Sequence, residues 1–176
     1  MIHIRIAEHG KICSLQGDHK EALRHYREAL RLVQNQEDSE IFSQHYSHCV
    51  MESLEQTGAY DEVIMFCQNY RSFLEDKTET DFTKKHRAFI CERQGIQHLL
   101  KEEKEEALDL LSEAQKTIGI GKQPITDQLI QWIQRNYFIS KEQIQTLQRK
   151  HNYFIVRKEK VNPTIAMKLT GEFSPL

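Results

Sequence analysis

Gln16-Gly17-Asp18-His19-Lys20-Glu21-Ala22-Leu23-Arg24-His25-Tyr26-Arg27-Glu28-Ala29-Leu30 is the stretch whose reading decides the fold. Ala22, Tyr26, Ala29 and Leu30 recur at i, i+4, i+7 and i+8, which is one face of an α-helix. Asp18 followed three residues later by Glu21 predicts a capping box that opens this helix. Gly17, just before it, predicts a left-handed turn that closes an earlier helix. Ile6, Gly10 and Cys13 lie along the inner face of that earlier helix, with Gly10 where a neighbour can approach closely. The unit reads as two antiparallel helices joined by a tight turn.

The pattern returns twice. Ser47, Met51, Leu54, Gly58, Tyr60, Val63, Cys67 and Tyr70 give a second unit that turns at Gly58-Ala59-Tyr60-Asp61. Cys91, Gly95, His98, Lys104, Ala107, Leu111 and Ala114 give a third, turning at Lys101-Glu102-Glu103-Lys104. There Glu102 fills the slot that Gly17 and Gly58 fill in the other two. The aligned positions Ala22, Val63 and Ala107 are 41 and 44 residues apart. The extra residues, as in Asn35–Ser39 and Glu75–Asp81, are read as lengthening the helices and linkers. A hairpin of this kind cannot bury its apolar face alone and has to stack on further copies.

These residues resemble the tetratricopeptide repeat family. Its signature is a small residue within the first helix, a glycine at the turn, an alanine early in the second helix, a large residue one turn on, and a second alanine. Gly10, Gly17, Ala22, Tyr26 and Ala29 match it well, and Gly95, Ala107, Leu111 and Ala114 match it in part. The second unit departs from it, with Met51, Val63, Cys67 and Tyr70, and the family's proline near the end of the second helix is missing throughout. The usual period is about 34 residues, so these units are long, in the manner of kinesin light chains, LGN-type polarity adaptors and bacterial peptide-pheromone receptors. The resemblance covers residues 3–118. It implies an all-α, right-handed α-solenoid of about four antiparallel hairpins with a short C-terminal tail, and a protein that binds other proteins.

Residues 119–155 are expected to form a divergent fourth hairpin that caps the stack. Gly119-Ile120-Gly121-Lys122-Gln123-Pro124 is a breaker cluster. Ile125, Leu129, Trp132 and Ile133 make an apolar stripe, and Ser140 with Gln143 predicts a capping box for a last helix through Ile144, Leu147 and His151. If Trp132 and Ile133 fail to cover the end, a homodimer or larger assembly is expected. Asn136-Tyr137-Phe138-Ile139 and Asn152-Tyr153-Phe154-Ile155 echo one another, which is read as coincidence. Residues 156–176 form the tail: a basic run, a turn at Val161-Asn162-Pro163-Thr164, an amphiphilic stretch Ile165–Thr170 with strand character, and a loose end from Gly171 to Leu176. A mobile terminus is the plain reading of it.

Composition narrows the function. The 176 residues carry a formal net charge of -2, so no global field favours nucleic acid or anionic membrane. Three prolines and seven glycines suit long helices. No apolar run reaches the roughly 20 residues of a bilayer helix. Met1–Ile6 lacks the order of a signal peptide, and the expected location is cytoplasmic. Cys13, Cys49, Cys67 and Cys91 form no Cys-x-x-Cys pair and read as small inward-facing apolar residues. No phosphate loop, nucleophile elbow or His-Glu-x-x-His motif is present. His45 and His48 with Glu52 one turn on have metal-like spacing, but without a second ligand pair no metal, cofactor or catalytic residue is expected.

The resemblance places a partner-binding groove along the first helix of each hairpin. The inward positions would be Ile4, Ala7, Lys11 and Ser14, then His45, His48, Glu52 and Glu55, then Phe89, Glu92, Ile96 and Leu99, with Arg93 alongside. Such a mixed acidic, histidine and apolar groove suits a peptide or helix with basic and apolar side chains. The carboxylate clamp used for chaperone C-termini is not matched: Ala7, Lys11, Cys49, Phe89 and Arg93 stand at its positions, and only Arg93 fits. Reversing the charge of Glu52 and Glu55 is expected to weaken a basic partner without unfolding the chain. The expected function is a non-enzymatic adaptor or scaffold. The alternatives are a structural subunit working through its convex face and tail, and a peptide-sensing regulator.

Overall fold

The structure, a computed structural model, describes residues 1–171. The closing residues of the expected loose end, 172–176, lie outside the described residues. The described chain is all-helical, with eight α-helices and no strand. They are α1 (Ile2–Leu15), α2 (His19–Val33), α3 (Ser39–Gln56), α4 (Tyr60–Glu75), α5 (Asp81–Leu100), α6 (Lys104–Ile118), α7 (Pro124–Gln134) and α8 (Lys141–Lys150). A single 3₁₀ turn follows at Lys158–Lys160. Contacts divide the chain into two compact units. One is Met1–Thr57 with the C-terminal stretch from Phe154, and the other is Gly58–Tyr153. The division falls inside the second expected hairpin, and the tail joins the first unit.

In the first unit, α1 packs on α2 and α2 on α3. The close approach expected at Gly10 is present. A Cβ there would stand 2.8 Å from the Tyr26 ring and 3.0 Å from His25 Cβ, so only glycine lets the two helices meet at this spacing. Ala22, Tyr26, Ala29 and Val33 are fully buried along α2, with Ile6, Ala7 and Tyr46 facing them as core. In the second unit α5 packs on α4 and α6, and α6 on α7. Gly95 plays the same part as Gly10, since a Cβ would lie 2.9 Å from Leu111 Cγ.

One backbone device closes four of the helices. Gly17, Glu102, Asn136 and Asn152 all take positive φ, at 83°, 64°, 55° and 52°. Each is followed by a residue whose N–H reaches back to a carbonyl five residues earlier: Asp18 to Cys13, Glu103 to His98, Tyr137 to Trp132 and Tyr153 to Gln148. This closure satisfies carbonyls that the helix end leaves open. Glu102 therefore does fill the glycine slot, as the alignment of the turns predicts. The two Asn-Tyr-Phe-Ile echoes share a role at their first residue: each asparagine is the left-handed terminator of its helix, a conformation asparagine adopts more readily than most residues.

Several starts differ from expectation. The Asp18–Glu21 box is half made. The Asp18 carboxylate accepts from the Glu21 N–H at 3.1 Å, while the Glu21 carboxylate turns to Arg24 at 2.6 Å. The Ser140–Gln143 box is complete. So is a box at Thr80 and Thr83, which opens α5 at the end of the extra residues Glu75–Asp81. Pro124, read as part of a breaker, is the first residue of α7, where its missing N–H removes no helical bond. His151 lies just past the end of α8.

Candidate peptide-binding site

The first unit carries a surface that holds an irregular segment of the chain. From Phe154 onward the chain runs as coil, turn and one 3₁₀ turn, yet its main-chain groups are taken up one after another by the helices. The fully buried carboxylate of Glu52, on α3, accepts the N–H groups of Ile155 at 2.6 Å and Val156 at 3.1 Å. Glu8, on α1, accepts the Asn162 N–H at 2.7 Å through one oxygen and Lys11 Nζ at 2.7 Å through the other. Asn162 itself forms the expected turn, its side-chain oxygen accepting from the Thr164 N–H at 3.1 Å. Arg5 Nε then donates to the Ile165 carbonyl at 3.1 Å, and the Met167 N–H donates to the Arg5 carbonyl at 2.9 Å. The Leu169 N–H donates to His25 Nε2 at 3.0 Å, and Arg24 donates to the Gly171 carbonyl.

His25 can accept from Leu169 only if Nε2 is bare. Its other nitrogen lies 2.8 Å from the Glu21 carbonyl, so the partners assign the neutral Nδ1–H tautomer. The ring of His9 stands 4.8 Å from that of His25. Burial is the main cause that holds the His9 imidazole below its ordinary pKa, and the Lys168 cation adds to it. Between these anchors Met167 and Leu169 pack on the core formed by Ile6, Ala7, Ala29 and Tyr46, while Lys168 is exposed. The strand expected over Ile165–Thr170 does not form: Ile165 lies in the turn, and alternate burial is confined to Met167–Thr170. Its main-chain groups pair instead with helix side chains and one helix carbonyl.

An open cleft lies on the same unit. It has a volume of about 230 Å³ and brings together Ile4, Ala7, Lys11 and His45 of the expected groove with Ile41, Phe42 and Tyr46. His45 is the tuned group in it: burial, and then Lys11, pushes its imidazole down to about 4 from 6.5. A histidine held neutral in the folded protein but free to protonate when unfolded supports stability above its unfolded pKa. That support is lost as pH falls through 6.5 toward 4, because the unfolded chain takes up the proton first. Urea midpoints of the wild type should therefore fall over that window more steeply than those of His45→Gln. Parallel curves would show that His45 contributes nothing to the pH dependence.

The remaining expected groove residues lie inside the units and are engaged by the chain itself. His48 and Glu55 are buried on α3. Glu52 is an anchor for the chain's own backbone, so the expectation that its charge can be reversed without harm to the fold is corrected: a lysine there would set a buried cation against two N–H groups. In the second unit Glu92 is also buried, its carboxylate accepting from Thr126 Oγ1 of α7 at 2.5 Å, and burial raises its pKa. The Arg93 guanidinium lies 4.6 Å from the Tyr153 ring centre and 5.3 Å from that of Phe89, a buried cation–π stack. Ile96 and Leu99 are core. Lys11 and His45 thus share one cleft, while Phe89, Glu92, Arg93 and Ile96 belong to the other unit.

The sequence reading missed Arg5, Glu8, His25, Met167 and Leu169. The available signals were a histidine beside the apolar face of α2 and the period-two pattern near the C-terminus. All four cysteines are buried, and burial pushes the thiol of Cys13 up and that of Cys91 up to about 11, away from reactive thiolate. Among the described residues, no group of three or more His, Cys, Asp or Glu is placed to hold a metal ion, and no helix is long and apolar enough to cross a membrane. No family model matches the chain, and no curated protein or solved structure matches it.

Proposed function

We propose that this chain is a non-enzymatic adaptor or scaffold whose helical pairs are long-period tetratricopeptide-like repeats and whose first unit holds a segment of a partner protein. The observation that carries this reading is the irregular segment from Phe154 onward, which is held through its main-chain groups by side chains projecting from α1, α2 and α3. A surface that binds backbone in this way is suited to peptide recognition. The cleft of Ile4, Ala7, Lys11 and His45 beside Glu8 offers apolar floor and a cation for the partner's side chains. The buried thiols fit a reducing compartment such as the cytoplasm.

The test is affinity capture with the full chain followed by mass spectrometry, comparing wild type with a Lys11→Ala, Ile41→Asp variant. Ile41 is 68% exposed, and Lys11→Ala leaves Glu8 free to keep Asn162, so the fold should survive. A partner retained by wild type and reduced at least about tenfold by the variant is the expected result. Capture of no protein would overturn the adaptor reading. Equal capture by both would favour the structural-subunit reading, for which Phe66, Phe73 and Phe82 of the second unit, 41%, 45% and 65% exposed, are the supporting observation.

A further inference from the structure

We infer that residues 162–171 are a resident, displaceable ligand, and that the surface beneath them on α1 and α2 is a binding site for a partner segment bearing two apolar residues at i and i+2. This rests on the adaptor reading and adds the chemistry of the partner to it.

Three features of the contact carry the inference. It is written almost wholly in main chain. Asn162, Met167 and Leu169 are held by their N–H groups, and Ile165 and Gly171 by their carbonyls. Any segment that turns once, as Asn162–Ile165 does, and then runs on without regular structure can offer the same groups. Specificity lies in two side chains only, Met167 and Leu169, which lie on the apolar core and leave Lys168 outside, the spacing that an extended chain imposes. Neither side chain is fully buried, and Ile165, Lys168 and Thr170 are exposed, so release of this stretch uncovers a limited area. The protein side is well formed by contrast. Glu8 and His25 are 7% and 0% exposed, and His25 is fixed in its accepting tautomer by the Glu21 carbonyl. A seat with polar anchors beneath a stretch bound mainly through backbone fits exchange of one segment for another. The tail competes as an intramolecular ligand, at an effective concentration of order millimolar for a short tether.

The experiment uses the full chain and a fluorescein-labelled peptide with the sequence of Val161–Gly171, read by anisotropy. In a Met167→Asp, Leu169→Asp chain the resident segment loses its apolar anchors while the seat is unchanged. That chain is expected to bind the peptide at least about tenfold more tightly than wild type does. A peptide carrying the same two aspartates should not bind. A folded variant, by circular dichroism, that fails to bind the peptide at 1 mM (roughly the effective concentration of the tail) would overturn the inference. Amide hydrogen exchange on the wild type supplies a measurement that needs no variant. Met167 and Leu169 should exchange through local opening, well ahead of Ala29, and exchange of all three only on global unfolding would likewise overturn it. A concentration-dependent dimer abolished by the two aspartates would make a second copy the occupant and overturn the partner claim. Peptide binding without any captured cellular partner would sink the adaptor reading and leave the seat standing. A captured partner with no peptide binding would do the reverse.

Discussion

Replacing Glu52 with alanine should unfasten the chain from Phe154 onward and destabilise the first unit by about 3–5 kcal/mol. The size follows from what the carboxylate does. It is fully buried and accepts two main-chain N–H groups, from Ile155 and Val156, each a charge-assisted bond. Alanine leaves both donors without this acceptor. Glu52→Gln keeps one acceptor oxygen but turns an amide NH₂ toward one of the donors, so its loss should be about half as large. Urea unfolding gives the free energies, and amide exchange at Ile155 and Val156 reports the release directly. Unchanged stability together with unchanged protection at these two amides would show that the anchor carries no weight.

The second large effect is expected at Tyr26. Tyr26→Ala should cost about 3–5 kcal/mol, the usual range for deleting a fully buried aromatic ring. The cavity it leaves cannot close by simple collapse, because α1 already meets α2 at a glycine: the Tyr26 ring stands where Gly10 leaves room for it. Tyr26→Phe keeps the ring and should lose less than about 1.5 kcal/mol. Thermal or urea unfolding of the two variants checks the contrast. Equal losses would place the role of Tyr26 in its hydroxyl rather than in the packing of its ring.

The parts legible in the sequence were those set by short-range chemistry. Gly17 and Gly58 marked turns because their positive φ is costly for other residues, and Glu102 was recognised by alignment with them. The apolar faces of α2, α5 and α6 followed from helical period, and Gly10 and Gly95 from the need for close approach. The misreadings came from contacts distant in sequence. Glu52 at a helical position looks the same on paper whether it faces water or, as here, the N–H groups of Ile155 and Val156. Glu92 was placed at a groove for the same reason, and its partner Thr126 lies two helices on. The alternation of Ile165–Thr170 was seen, but period two specifies an extended chain and not what it lies against. The paired asparagines were dismissed because repetition of four residues is weak evidence by itself. Their shared left-handed φ gives the physical reason for it.

The return of the tail to α1 and α3 also sets an order of events during synthesis. Ile155 is 103 residues beyond Glu52, and Asn162 is 154 beyond Glu8. At translation rates of about 5–20 residues per second, a hundred residues take on the order of 5–20 s. Throughout that interval α1, α2 and α3 are complete while the buried anchors Glu8, Glu52 and His25 still lack the main-chain groups they will hold. The whole of Gly58–Tyr153 is made before the first unit can be closed. The nascent protein thus presents an open seat for seconds, and contacts of such long sequence separation are slow to form. Whatever occupies that seat first, another nascent chain or a passing peptide, meets no competition from residues 154–171 until they have left the ribosome.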